Sequence, residues 1–373
     1  MGGIRIGKIL GFEINVDWSW LLIFFLVVYS LASGYFPTMY PNFGIAMNWL
    51  VGILAAALLF VSVLIHELSH SMVARSYGTP VRGITLFMFG GVSQTAEEPK
   101  SAREEFWMAI VGPVTSFGLA AVFYALGGIG AVMVWPSPVV AVLGYLAMIN
   151  LLLAVFNLAP GFPLDGGRVL RSALWAATGD LTRSTRYASY AGQAFGYILM
   201  GLGFTNVLGG SLIGGLWLVF IGWFLAGAAR SSYQQLLVKQ ALSGVTVSQV
   251  MTSDVPVVDA DTSLRQFVDE TLLRYDYSCY PVQRGEELIG IVGIEEVRRF
   301  SPEQWQNVSV GEVAHEIDTA YKVSESDDAY EALTKLATEE VCRLMVMDNG
   351  QLKGTVGRES VFRLVQTKML LGL

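Results

Sequence analysis

Three stretches without a single Asp, Glu, Lys or Arg constrain this chain more than any other feature. They lie between Asp17 and Glu67 (49 residues), Glu105 and Asp165 (59) and Arg186 and Arg230 (43). A helix crosses a bilayer with about 20 apolar residues, so each block has room for two crossings and a turn. Pro37, Pro41 and Asn42 mark the first turn, Gly127-Gly128 through Pro136 and Pro138 the second, and Gly209-Gly210-Ser211 the third. The pattern predicts helices near 18–36, 47–72, 106–126, 139–158, 189–207 and 212–229, an α-helical polytopic membrane protein over residues 1–240. Residues 4–16 and 80–96 alternate apolar and small side chains instead. They predict a few β-strands at the membrane edge, where extended backbone must be paired.

The basic residues orient the bundle. All 12 Lys/Arg of residues 1–244 fall before the first helix, between the second and third, between the fourth and fifth, or after the sixth. That face, with both chain termini, is predicted to be cytoplasmic. Glu13 and Asp17 directly precede the first segment, which is long enough to span, so it does not read as a cleaved signal. Residues 1–244 carry 12 Lys/Arg against 9 Asp/Glu, whereas residues 245–373 carry 12 against 22. The second half is therefore acidic and water-soluble. Neither half has the basic patch that a nucleic-acid partner would need. Cys279 and Cys342, both in the acidic half and outside any C-x-x-C, make no disulfide framework; a reducing compartment is expected there.

Charge inside a membrane segment is costly and marks function by default. Here it falls at Glu67 and Asp165. Glu67 stands in His66-Glu67-Leu68-Ser69-His70, and the four-residue spacing sets both imidazoles on one helix face, able to grip one zinc ion. Glu67 then stands beside the water that such an ion would activate. A catalytic zinc keeps three protein ligands and one open position. The remaining histidine, His315, lies deep in the acidic half, so the third ligand should be a carboxylate or a Cys, and Asp165 is the candidate. Pro160 and Pro163 break the helix before it, freeing the chain to turn the carboxylate inward. The second and fourth helices run in the same direction, which brings all three side chains to one depth.

In these residues the chain resembles the site-2 protease family of intramembrane zinc metalloproteases. The resemblance rests on the H-E-x-x-H of the second helix, the Gly90-Gly91-Val92 strand, Gly112-Pro113 and the Asn157…Pro160…Pro163-Leu-Asp165-Gly run, and covers roughly residues 1–240. It implies one zinc per chain held by His66, His70 and Asp165, with Glu67 as general base. It also suggests that Asn157 and the strand at Gly91 hold an extended substrate backbone; an interhelical hydrogen bond is the other reading of Asn157. With no inserted domain between the helices, the chain is similar to the compact branch that lacks PDZ domains.

The acidic tail repeats itself at an offset near 64. Val247-Ser-Gln-Val250 matches Val310-Gly-Glu-Val313, and Leu288-Ile-Gly290-Ile-Val292-Gly293 matches Leu352-Lys-Gly354-Thr-Val356-Gly357. Each copy reads as strand, helix, two strands, helix. The tail resembles an α/β pair of CBS domains, here 245–302 and 307–370, which implies an adenosine nucleotide as ligand or a homo-oligomer through the pair. Where that family contacts ribose through a Ser/Thr and an acidic residue three further on, this chain has Gly293 and Glu296, then Gly357 and Ser360. A docking module without ligand is the other reading.

The expectation is an intramembrane zinc endopeptidase that cleaves the membrane segment of a single-pass protein and is modulated by the CBS pair. The rival is a transporter or channel gated by that pair. It would need ionisable residues lining a path across several helices, but the charged sites crowd at one end.

Overall fold

The computed structural model describes residues 3–371, apart from 89, 96–98, 286, 317–320, 340, 349 and 350. The chain forms two compact units, Met1–Gln234 and Gln235–Leu373.

The first unit opens with β1 (Gly3–Ile9) and β2 (Phe12–Asp17), and Asp17 caps the helix that follows by accepting from the Ser19 N–H at 2.9 Å. That helix is α1 (Trp18–Ser30), continued by a π-helical turn (Leu31–Tyr35) into α2 (Phe36–Met39). After α3 (Ile45–Ser76) come β3 (Val81–Phe87) and β4 (Gly90–Thr95), then α4 (Ala102–Val132), α5 (Ser137–Asn157), α6 (Asp165–Thr178), α7 (Leu181–Leu208) and α8 (Leu212–Leu242). The division between the units falls inside α8.

Five of these stretches are long and apolar enough to cross a membrane: Trp18–Met39, Ile45–Ser76, Ala102–Val132, Ser137–Asn157 and Leu212–Leu242. Their apolar residues are largely unpacked, among them Leu22, Phe25, Leu50, Ile53, Leu151 and Val155, which suits a lipid-facing surface and no water-facing one. The segment expected at 189–207 lies in α7, which is long enough but is not among the five. Gln193, Asn206 and its glycines dilute its apolarity. Its packing is nonetheless continuous with α8. Ser189 donates to the Ala229 carbonyl at 2.7 Å, and Gly196 and Gly203 approach the carbonyls of Gly222 and Gly215 too closely for a side chain. Small residues at such spacing let two backbones touch. Helix α6 was not expected at all. It is short and amphipathic, beginning at the residue expected to lie in a proline-broken turn.

The four strands form one sheet in the order β1-β2-β3-β4, antiparallel except for the parallel pair β2–β3, in which Glu13 faces Gly83 and Val16 faces Leu86. Phe12, Ile14 and Val16 alternate into the interior, where they pack with Ile84 and Leu86 against Leu68 of α3. The sheet thus lies directly on the helix that carries His66 and His70. Its β4 edge is unpaired among the described residues.

The second unit contains α9 (Val247–Val250), β5 (Val258–Asp259), α10 (Leu264–Phe267, extended by a π-helical turn to Leu272), β6 (Cys279–Arg284), β7 (Glu287–Gly293) and α11 (Ile294–Val297). It continues with α12 (Val310–Val313), β8 (His315–Glu316), β9 (Lys322–Val323), α13 (Ala329–Thr338), β10 (Arg343–Asp348), β11 (Gln351–Gly357) and α14 (Arg358–Leu371). The two copies exchange their first helices. Val247 and Val250 pack with Val323, Leu336, Leu344 and Val356 of the second copy, whereas Val310 packs with Val258, Leu264, Tyr280 and Val292 of the first. A cut between 302 and 307 would strip each core of one helix.

The expectation for the cysteines is corrected here. Cys279 and Cys342 form a disulfide across a sequence separation of 63. Cys279 opens β6 and Cys342 immediately precedes β10, strands that meet in a small apolar cluster with Ile291 and Met345. No spacing rule announces such a pair, because folding of the repeat alone brings the two sulfurs together.

Candidate metal centre

Three donor atoms converge between α3 and the start of α6. His66 Nε2 and Asp165 Oδ2 lie 3.1 Å apart, His66 Nε2 and His70 Nε2 3.1 Å, and His70 Nε2 and Asp165 Oδ2 3.2 Å. Tetrahedral zinc with bonds of about 2.0–2.1 Å sets its ligands about 3.3 Å apart, so the triangle has the dimensions of one face of a zinc site. Both histidines are buried. The protons point elsewhere. His70 Nδ1 lies 2.5 Å from the Met108 carbonyl, which can only accept, so that nitrogen carries a proton and a neutral imidazole would offer its Nε2 lone pair to a metal. His66 Nδ1 is held by Ser116 Oγ at 2.9 Å, which can accept in the same way. Three such atoms this close to one another suit a cation, and the N, N, O set suits zinc.

Asp165 is the first residue of α6, where a helix terminus favours an anion. The connection from α5 doubles back tightly to deliver it. A methyl on Gly166 would lie 2.3 Å from the Leu158 carbonyl oxygen, and one on Gly167 2.3 Å from the carbonyl carbon of Gly161. Glu67 is half-buried and lies against Gly91 of β4, where an added Cβ would meet Glu67 Cγ at 2.3 Å. Two residues singled out by sequence, Gly91 and Glu67, are thus in contact. Asn157 ends α5 half-buried, and among the described residues its side chain has no hydrogen bond to the three donors. The buried interhelical hydrogen bond belongs instead to Asn150, whose Nδ2 donates to Ser62 Oγ at 3.2 Å, one turn before His66.

Helix α4 supplies what sequence reasoning missed. Ser116 and the Met108 carbonyl orient the two imidazoles, and Gly112 between them leaves the room: a Cβ there would lie 2.1 Å from His70 Nε2 and 2.7 Å from His66 Nε2. The one sequence signal was Gly112-Pro113 inside an apolar helix. Proline cannot donate to the carbonyl four residues back, that of Ala109, next to the Met108 carbonyl that accepts from His70. Gly112→Ala is therefore expected to push an imidazole out and weaken zinc binding more than about tenfold, the scale on which ligand orientation matters. Metal content of the purified variant checks this; wild-type zinc content would show that the imidazoles are not held by α4.

In the second unit, the Gly293 N–H donates to Glu296 Oε2 at 3.0 Å, and the Glu359 carboxylate covers Gly357 and pairs with Arg343. Arg343 is fully buried, and burial lowers its pKa. Its Nη1 donates to Thr355 Oγ1 at 2.6 Å. The polar groups at the ribose-pattern positions are thus engaged within the chain.

The sequence profile of Peptidase family M50 matches residues 54–135 and 127–202, and that of the CBS domain matches residues 247–303. The protein Rip3 of Mycobacterium tuberculosis is 36% identical over 98% of this chain and 94% of its own length. The zinc metalloprotease MJ0392 of Methanocaldococcus jannaschii is 29% identical over 96% of this chain and 95% of its own. The solved site-2 protease from the same archaeon is 29% identical, covering 62% of this chain and 95% of its own, with a TM-score of 0.43. An H-E-x-x-H helix, a His–His–Asp triangle and full-length relatives named as zinc metalloproteases agree: the chain belongs to peptidase family M50, the site-2 proteases, as a zinc metalloprotease with a C-terminal CBS domain.

Proposed function

We propose that this protein is an intramembrane endopeptidase that cuts the membrane segment of a single-pass protein, using one zinc ion held by His66, His70 and Asp165. The observation that carries the reading is the convergence of three lone-pair donors at the foot of apolar helices, with Glu67 facing the open edge strand β4. Zinc bound there supplies a Lewis acid that polarises the scissile carbonyl and acidifies water. The chain's own residues do the rest. Glu67 takes the proton from the attacking water and passes it to the leaving amine. Ser116 and the Met108 carbonyl keep both imidazoles in one tautomer and orientation.

A helical peptide bond is shielded by its own hydrogen bonds, so the substrate must unwind locally. An unwound segment can add to the edge of β4, whose Gly91 touches Glu67, and main-chain hydrogen bonds would then hold it extended at the base. Asn157 is proposed to hold the same backbone from the end of α5.

Helix α7 is proposed as the sixth crossing, paired along its length with α8, with both termini on the cytoplasmic face that the basic residues select. A disulfide is unusual in that compartment; Cys279 is 1% exposed, which limits its exchange with small thiols. The CBS pair is proposed to modulate turnover, and no ligand is assigned to it.

The test is cleavage of candidate single-pass proteins by the full-length protein in zinc-supplemented membranes, with products mapped by mass spectrometry. Cuts inside the apolar segment, abolished by chelation, are the expected result. Cuts confined to soluble loops would sink the reading.

A further inference from the structure

We propose that the buried ion pair Glu105–Arg171 is a positioning device for Asp165, setting α6 against α4 so that the third donor meets the two imidazoles α4 already holds. The inference rests on the reading of Asp165 as a metal ligand. Glu105 is 0% exposed and Arg171 9%. Arg171 Nε donates to Glu105 Oε1 at 2.6 Å, and its Nη2 contacts the same oxygen. The guanidinium also lies over the ring of Phe162, 5.1 Å from the centroid, in the connection that leads into Asp165. One side chain therefore ties together α6, the first turn of α4 and the connection before the ligand.

Positions on α4 make the case sharper. Glu105, Met108, Gly112 and Ser116 are spaced three, four and four residues apart, which places them on one helix face. Ser116 holds His66, the Met108 carbonyl holds His70, Gly112 clears the space between, and Glu105 reaches the helix of Asp165. All three donors are thereby referred to a single rigid element. Helix α6 also packs on α7, and its Leu170 joins Phe162, Ala188 and Ala229. Its buried residues are Gly166, Gly167, Arg171 and Ser172, and Arg171 is the one large side chain among them.

Stability does not account for the pair. Burying two charges costs about what their attraction returns, and apolar replacements of similar volume are often as stable. Glu105 Oε2 has no hydrogen-bond partner among the described residues, so the pair is not even fully satisfied. What a directional pair supplies, and an apolar contact does not, is one fixed register.

The test uses the full-length protein in detergent, with zinc alone as ligand, competed against a chromophoric chelator. Arg171→Met by itself strands a buried carboxylate, so the informative variant is Glu105→Met with Arg171→Met, which leaves an apolar contact. Its metal-free thermal midpoint is expected to equal or exceed that of the wild type, while its zinc dissociation constant rises about 10- to 100-fold. In an Asp165→Ala background the same two changes should cost no further affinity. Zinc affinity within twofold of wild type in the double variant would overturn the proposal. So would a loss of the same size in the Asp165→Ala background, because the pair would then act on the whole site. If Asp165→Ala alone leaves affinity unchanged, the ligand assignment itself fails, and the metal-free midpoints still report whether the pair is structural.

Discussion

Glu67→Gln is expected to lose proteolysis by about 10²- to 10⁴-fold, the usual worth of a positioned general base, while keeping its zinc. The substitution is nearly isosteric, so the contact with Gly91 survives and the donor triangle beside it is untouched. What disappears is the ability to accept a proton from water and return it to the leaving amine. Product formation from a cleaved substrate, measured beside metal content on one preparation, separates the two effects. Full activity in this variant would move the base elsewhere; loss of zinc would mean that Glu67 is part of the metal's own environment.

Asp165→Ala is expected to lose both. Two imidazoles alone leave a zinc ion with half of its tetrahedral shell unfilled by protein, and affinity should fall by more than about 100-fold, beyond the cost of losing an outer partner of a ligand. Removing the carboxylate from the first turn of α6 also removes the anion that the helix terminus favours. Zinc titration of the purified variant reads the loss directly. Unchanged affinity would take Asp165 out of the coordination shell and leave its closeness to the two Nε2 atoms without a metal role.

The features legible in the sequence are the local ones. A four-residue spacing on a helix sets His66 and His70 side by side whatever surrounds them, because the period of the helix is fixed. Charge-free blocks announce membrane helices because lipid offers no partner for a charge, and among the described residues five of the six expected segments form helices long and apolar enough to cross. The alternation in β2 likewise shows as alternate burial of Phe12, Ile14 and Val16. Asp165 could be singled out as a candidate because, beside Glu67, it is the charge that falls within or at the end of a predicted span.

What only the tertiary structure decided are the partnerships across the chain. Neither Ser116 nor a bare Met108 carbonyl carries a mark in the sequence, since a serine or a peptide group becomes a histidine's partner only where helices α3 and α4 cross. The parallel pairing of β2 with β3 joins residues about 70 apart, the two copies of the repeat trade their first helices, and Cys279 finds Cys342 through that folding. The sequence by itself determined which segments form long apolar helices and that His66 and His70 share one helix face, because periodicity and the cost of buried charge act within a few residues. Which groups orient those side chains was left to packing, because an apolar helix can present any of its faces to a neighbour until close contacts such as Gly112 against His70 select one.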